Sequence, residues 1–146
     1  MPNSAHSYET DLDGFDVVTR HLVMERHLNA FGNLFGGHML AWLDESSALY
    51  VMDRIGYGDF VTVSMDDVAF RSPARRGDAV VVCCQVLGTG RSSVQVRTKA
   101  YVHEVGTDQK RPVIDCRIAF VCLQHGRPYA YFQSEEYRKW LARPGA

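Results

Sequence analysis

Two spacings of apolar residues run along this chain, and the places where one gives way to the other mark its elements. Residues 15–24 are rich in valine, threonine and leucine and predict a first strand. Residues 25–35, with Gly32 and two asparagines, predict a loop. Over Gly36–Ile55 the apolar positions recur at helical spacing. Gly56-Tyr57-Gly58 closes that helix, because glycine suits a helix C-terminus. Residues 60–70, 79–87, 93–105 and 113–123 predict four strands, separated by turns at 72–78 and 88–91 and by a polar connection at 106–111. In the third of these strands Val94, Val96, Thr98 and Ala100 fall on one face and Gln95, Arg97 and Lys99 on the other. A turn at 124–127 and a short helix at 135–141 follow.

Consecutive strands on short connections predict an antiparallel sheet. A single long helix with an apolar face must pack on it. The expected class is α+β, one curved sheet wrapped round one central helix. Residues 1–14 read as a polar leader and 133–146 as a terminal helix and tail, so 1–146 is expected to be one domain, without repeats or a low-complexity linker.

Bulk properties narrow the function. A length of 146 residues suits a single core. The formal net charge of −1 argues against a general nucleic-acid partner, which would show a basic excess. No apolar run is long enough to span a bilayer, and the leader lacks the charged and apolar regions of a secretion signal. Cys83, Cys84, Cys116 and Cys122 show no C-x-x-C spacing. Adjacent Cys83 and Cys84 point to opposite strand faces and cannot chelate one metal, so four buried thiols in a reducing cytoplasm are expected, with no metal site.

The helix carries the candidate chemistry. At about 100° per residue, Leu40, Leu43, Asp44, Ser47, Ala48, Val51 and Ile55 cluster on one side, while Glu45 and Asp53 fall outside. Asp44 thus shares the apolar stripe. A carboxylate there is either a working group, since burying it costs several kcal/mol when unpaired, or an edge residue bonded to a neighbour. Gly36 and Gly37 open the helix. They make either a tight loop-to-helix joint or a place where a ligand reaches the unpaired N–H groups and positive dipole of the helix start. Such N–H groups suit a carbonyl oxygen becoming an oxyanion. Asp44 lies about two turns along, roughly 10 Å in rise, so Gly37 and Asp44 need a bent site or a second subunit to meet at one substrate. His38 points away from Asp44 on the wheel. His21, His27, His103 and His125 have no partner at a telling spacing, and Ser47 reads as a small residue packed against the sheet.

The stretch Asn29-x-x-Gly32-x-x-Phe35-Gly36-Gly37-x-x-Leu40-x-x-x-Asp44 resembles the signature of hotdog-fold acyl-CoA thioesterases, the short bacterial acyl-CoA hydrolases related to the brain-type cytosolic enzyme. The resemblance continues through Val61-Thr-Val-Ser-Met-Asp66, Phe70-x-x-Pro73, Gly77-Asp78 and Gly88-x-Gly90-Arg91-Ser92-Ser93, and covers roughly residues 17–121. It implies a five- or six-stranded antiparallel sheet around a long helix, with active sites at the interface of a homodimer and dimers often gathered as a hexamer. It implies that Asp44 activates water or attacks the thioester carbon. Asn29 of the facing subunit would hold water or thioester, and the Gly37 N–H would polarise the carbonyl. Leu40, Leu43 and Phe70 would line the acyl tunnel, and Phe35 and Gly36 would also bind substrate. Arg71, Arg91, Ser92 and Ser93 would meet the nucleotide end of coenzyme A, and Arg75 and Arg76 are equally well read as solvated. Coenzyme A enters as part of the substrate, with no other cofactor. Phe31, His27-Leu28 and His38 depart from the family pattern without removing a proposed catalytic group.

Three functions fit this fold: an acyl-CoA hydrolase, a non-catalytic acyl-CoA sensor, and an enoyl-CoA hydratase or dehydratase. A sensor would lose the acid. A hydratase would pair a histidine with an acid, for which only the loop residue His27 is at hand. Asn29 with Asp44 favours hydrolysis.

Overall fold

The computed structural model describes residues 8–145. A short helix α1 (Tyr8–Asp11) falls within the expected leader, whose first seven residues lie outside the described ones. Strand β1 (Asp16–Leu22) is followed by a 3-10 turn at Glu25–His27 and by the long helix α2 (Gly36–Ile55). Gly56 closes α2 in the left-handed conformation (φ +62°), and a Cβ there would run into the Trp140 ring. Strands β2 (Phe60–Phe70), β3 (Ala79–Thr89), β4 (Ser93–His103) and β5 (Lys110–Gln124) come next. A two-residue strand β6 (Arg127–Pro128) and helix α3 (Glu135–Leu141) complete the chain. No described helix is long and apolar enough to cross a membrane.

The strands form one antiparallel sheet in the order β1-β3-β4-β5-β2, with β6 on β5. This corrects the expectation that each strand pairs with the next. β2 pairs with β5 and lies at one edge, so residues 71–78 are a crossover to β3 and not a hairpin turn. The crossover is held by backbone bonds from Arg71 N–H to Val113 O (2.7 Å) and from Leu34 N–H to Ala74 O (2.7 Å). The last strand is also longer than expected. Lys110, Arg111 and Pro112 pair with β4 and shorten the polar connection.

The concave face of the sheet wraps α2. Val94, Val96, Thr98, Ala100 and Val102 of β4 meet Ile114, Ile118 and Phe120 of β5 in the main core. Cys84 joins that core, whereas Cys83 joins Val81 and Tyr101 on the convex face, covered by Tyr8, Leu12 and Phe15. All four cysteines are free and buried. Burial pushes the thiols of Cys83 and Cys116 up to about 12 and that of Cys122 to about 11, so they are unreactive packing groups.

The buried face of α2 is rotated from the expected stripe. Met39, Trp42, Leu43, Ser46, Ser47, Tyr50, Val51 and Ile55 are buried, and Leu40 and Ala48 are only half-buried. Two hydroxyls are drawn in because the sheet satisfies them. Ser46 Oγ lies 2.5 Å from Thr19 Oγ1, and Ser47 Oγ lies 2.6 Å from Thr98 Oγ1. Ser47 is thereby a packing residue.

Candidate active site

Helix α2 presents its start to the loop that carries Asn29, and a point two turns on to strand β2. Asp44 stands at that second point, half-buried on the edge of the buried face. Thr62 Oγ1 donates to Asp44 Oδ1 at 2.7 Å. The acid is therefore an edge residue with a fixed partner, and its other oxygen makes no hydrogen bond or ion pair among the described residues. Nothing in the sequence singles out Thr62 beyond a hydroxyl between Val61 and Val63.

Asn29 is oriented by its own loop. Its N–H donates to Asn33 O at 2.8 Å, and Phe31 N–H and Asn33 N–H donate to its Oδ1 at 2.9 and 3.1 Å. With the oxygen occupied, the side-chain NH2 is left as the donor for a ligand. Behind it, Met24 N–H donates to His27 Nδ1 at 2.9 Å, and the His27 ring packs edge-on to Trp42 and His38 at 4.9 and 5.4 Å. Desolvation, then the charges of Arg26 and His38, lower the pKa of His27. His27 and His38 serve this loop; their ring contacts are with each other, Trp42 and Phe35, not with Asp44.

At the helix start the first backbone bond runs from Met39 N–H to Phe35 O. The N–H groups of Gly36, Gly37 and His38 thus have no acceptor within the helix, and Phe35 supplies no side-chain cap. A Cβ on Gly37 would come within 2.5 Å of Phe35 Cε1, and one on Gly36 would come 3.4 Å from Phe70 Cζ. The joint is tight because two aromatic rings close on it, and the Gly36 and Gly37 amides have no acceptor among the described residues.

Asn29, Gly36, Phe70 and Arg71 line one open depression of about 440 Å³. Arg71 is already paired, with Nε and Nη2 at 3.0 and 2.9 Å from Asp115 Oδ2, so its charge is partly neutralised. Leu40 lies between this end of the helix and Asp44. Arg91 and the half-buried Ser92 and Ser93 sit elsewhere, at the β3–β4 turn. Ser92 O accepts from Cys122 N–H at 2.6 Å, and Cys122 pairs with Phe60. Along β2, then, Thr62 and the Arg91 turn lie toward the Phe60 end, and Asn29 and the helix start lie at the Phe70 end. One protomer does not bring the two groups together.

Comparison with known proteins places this geometry. A sequence model of the thioesterase superfamily matches residues 31–107. The chain is 32% identical over 134 residues to an uncharacterised acyl-CoA thioester hydrolase of Haemophilus influenzae, covering 86% of this chain and 85% of that one. Among solved structures, a hexameric thioesterase from Yersinia pestis superposes with a TM-score of 0.73 at 28% identity, covering 79% of this chain and 93% of the other. An acyl-CoA hydrolase from Staphylococcus aureus, solved with butyryl coenzyme A and coenzyme A, superposes with a TM-score of 0.73 at 26% identity, covering 80% and 71%. Variants of that enzyme with an aspartate, an asparagine or a threonine changed to alanine have also been solved. The sheet wrapped round one helix is the hotdog fold.

Proposed function

This chain belongs to the thioesterase superfamily, and from that premise we propose that it hydrolyses the thioester of an acyl-coenzyme A to a carboxylic acid and free coenzyme A. The observation that carries the reading is the Asp44 carboxylate, held at one oxygen by Thr62 and open at the other. The open oxygen takes a proton from water that attacks the thioester carbon and passes it to the departing coenzyme A thiolate, or it attacks that carbon itself, expelling the thiolate and forming an anhydride that a water then hydrolyses. Solvent oxygen-18 enters Asp44 in a single turnover only by the second route, when water opens the anhydride at the Asp44 carbonyl. The thioester oxygen, becoming an oxyanion, is received by the Gly37 N–H, and the Asn29 NH2 donates to the same reacting group.

The separation of these groups within one protomer is met by pairing. β2 is an edge strand with Val61, Val63, Val68 and Phe70 exposed, an apolar edge that calls for cover. A two-fold axis that sets β2 antiparallel to its copy puts the Phe70 end of one against the Phe60 end of the other. Asn29 and the helix start of one subunit then face Asp44 and the Arg91 turn of the second. A homodimer is thus the minimal active unit, and a hexamer built as a trimer of dimers is the expected assembly, as the Yersinia pestis relative is hexameric. The acyl chain runs beside Phe35, Gly36, Leu40 and Phe70. Arg91, which makes no ion pair among the described residues, takes the nucleotide phosphates with Ser92 and Ser93, and Arg71 lies at the edge of the site. The chain 1–146 acts as one hotdog domain. The reaction needs water and no cofactor beyond the coenzyme A of the substrate, and four unpaired thiols fit a cytoplasmic location. Release of free thiol from a panel of esters, from acetyl- to palmitoyl-coenzyme A and including aromatic acyl groups, tests the reading. Turnover of a panel member supports it, and binding without thiol release overturns it.

A further inference from the structure

The crossover at residues 71–78 borders the depression that Asn29, Gly36 and Phe70 line. A side chain outside that depression ties the crossover down. Arg111 of β5 donates from Nη1 to Ser72 Oγ at 3.0 Å and to Pro73 O at 2.5 Å. Its Nη2 reaches Asp78 Oδ2 and its Nε reaches Glu104 Oε1, each at 3.2 Å. One planar guanidinium therefore grips both ends of the crossover and anchors them to the end of the β4–β5 hairpin. The fixed fork of arginine suits this, and the point charge of lysine does not.

The crossover in turn carries the Asn29 loop. Ala74 O accepts from Leu34 N–H at 2.7 Å, and Arg75 pairs with Asn33 as an isolated bridge. Leu34 pairs with Leu28, and Asn33 closes on Asn29 through both main chain and carboxamide. Hydrogen bonds joined by short stretches of main chain thus lead from Arg111 through Pro73–Ala74 and Leu34–Asn33 to the carboxamide oxygen of Asn29. Arg111 lies beyond the residues that match the superfamily, and it does not line the depression.

We propose that Arg111 is a positioning residue for the thioesterase reaction, fixing the crossover and, through Leu34 and Asn33, the carboxamide of Asn29. The proposal rests on the thioesterase reading above. Removing the guanidinium leaves the carboxylates of Asp78 and Glu104 without their shared partner and frees the Pro73 carbonyl. A displacement of about 1 Å at a reacting group can cost about a hundredfold in rate.

The test is a double-mutant cycle on the assembled protein, with the acyl-coenzyme A that the wild type turns over fastest in the panel. Arg111→Ala is expected to lower kcat by about tenfold to a hundredfold, with a smaller change in KM. In an Asn29→Ala background the same change is expected to alter kcat by less than about twofold, because the two residues act as a unit. Amide exchange over residues 28–34 is expected to rise in Arg111→Ala while α2 stays protected. Arg111→Lys, which keeps charge without the fork, is expected to show the same non-additivity and serves if the alanine variant does not fold. An unchanged kcat, or effects that multiply independently of Asn29, overturns the role of Arg111. A wild type that releases no thiol from any ester overturns the thioesterase reading itself.

Discussion

The donor role proposed for Asn29 follows from its oxygen being committed to Phe31 N–H and Asn33 N–H within its own loop. Asn29→Asp separates the two duties of the side chain. A carboxylate still accepts both loop bonds but has no NH2 to offer. The variant is expected to melt within a few degrees of the wild type and to lose about 10²- to 10³-fold in kcat, the cost of one donor at a developing oxyanion. Steady-state kinetics beside thermal melting checks this, and retained turnover would assign Asn29 to the loop alone. At this scale the sequence singles out Asn29 and Asp44 as candidates, because both sit in one uninterrupted motif. Thr62 was not legible. Its bond to Asp44 joins residues 18 apart in the chain, on a strand and a helix whose juxtaposition no local spacing encodes.

The 3-10 turn at Glu25–His27 is closed by a neutral imidazole at the entry to the site loop. Met24 N–H donates to His27 Nδ1, a bond that only the neutral ring accepts. Desolvation is the leading cause that lowers the His27 pKa, followed by the charges of Arg26 and His38. His21, which stacks on the same Trp42 ring, is lowered by burial against the opposing charge of Glu45. A histidine whose folded pKa is lowered contributes stability above its ordinary value of 6.5 and loses it as pH falls from there through the folded value. Thermal midpoints measured downward from pH 7 are therefore expected to fall more steeply for the wild type than for His27→Gln, which accepts the same bond and carries no charge. Parallel curves would contradict this. The helix α2 was readable at both ends from its glycines, and β4 from its alternation. The buried face of α2 was readable in part: Leu43, Ser47, Val51 and Ile55 fall on the expected stripe, whereas Met39, Trp42, Ser46 and Tyr50 do not. A sheet curved around a helix covers more of its circumference than a single stripe and admits Ser46 once a hydroxyl on β1 meets it.

For the whole molecule, strand content and antiparallel pairing followed from sequence, whereas strand order did not. A turn at residues 72–78 reads the same whether it closes a hairpin or crosses the sheet, and only the placing of β2 on β5 decides. The open edge left on β2 is what makes the protomer incomplete. Val63→Glu puts a charge on that edge at a residue that is 55% exposed, without touching the core. It is expected to shift the protein to monomers in sedimentation velocity and to abolish turnover while leaving the circular dichroism spectrum unchanged. An active monomer would contradict the shared site. The proposed hydrolysis turns on one carboxylate, and its decisive test is thiol release by wild type and Asp44→Asn measured side by side on the acyl-coenzyme A panel. We expect turnover by the wild type and a loss of about 10²- to 10⁴-fold in kcat for Asp44→Asn, with the assembly intact; undiminished turnover in Asp44→Asn would remove Asp44 from the reaction.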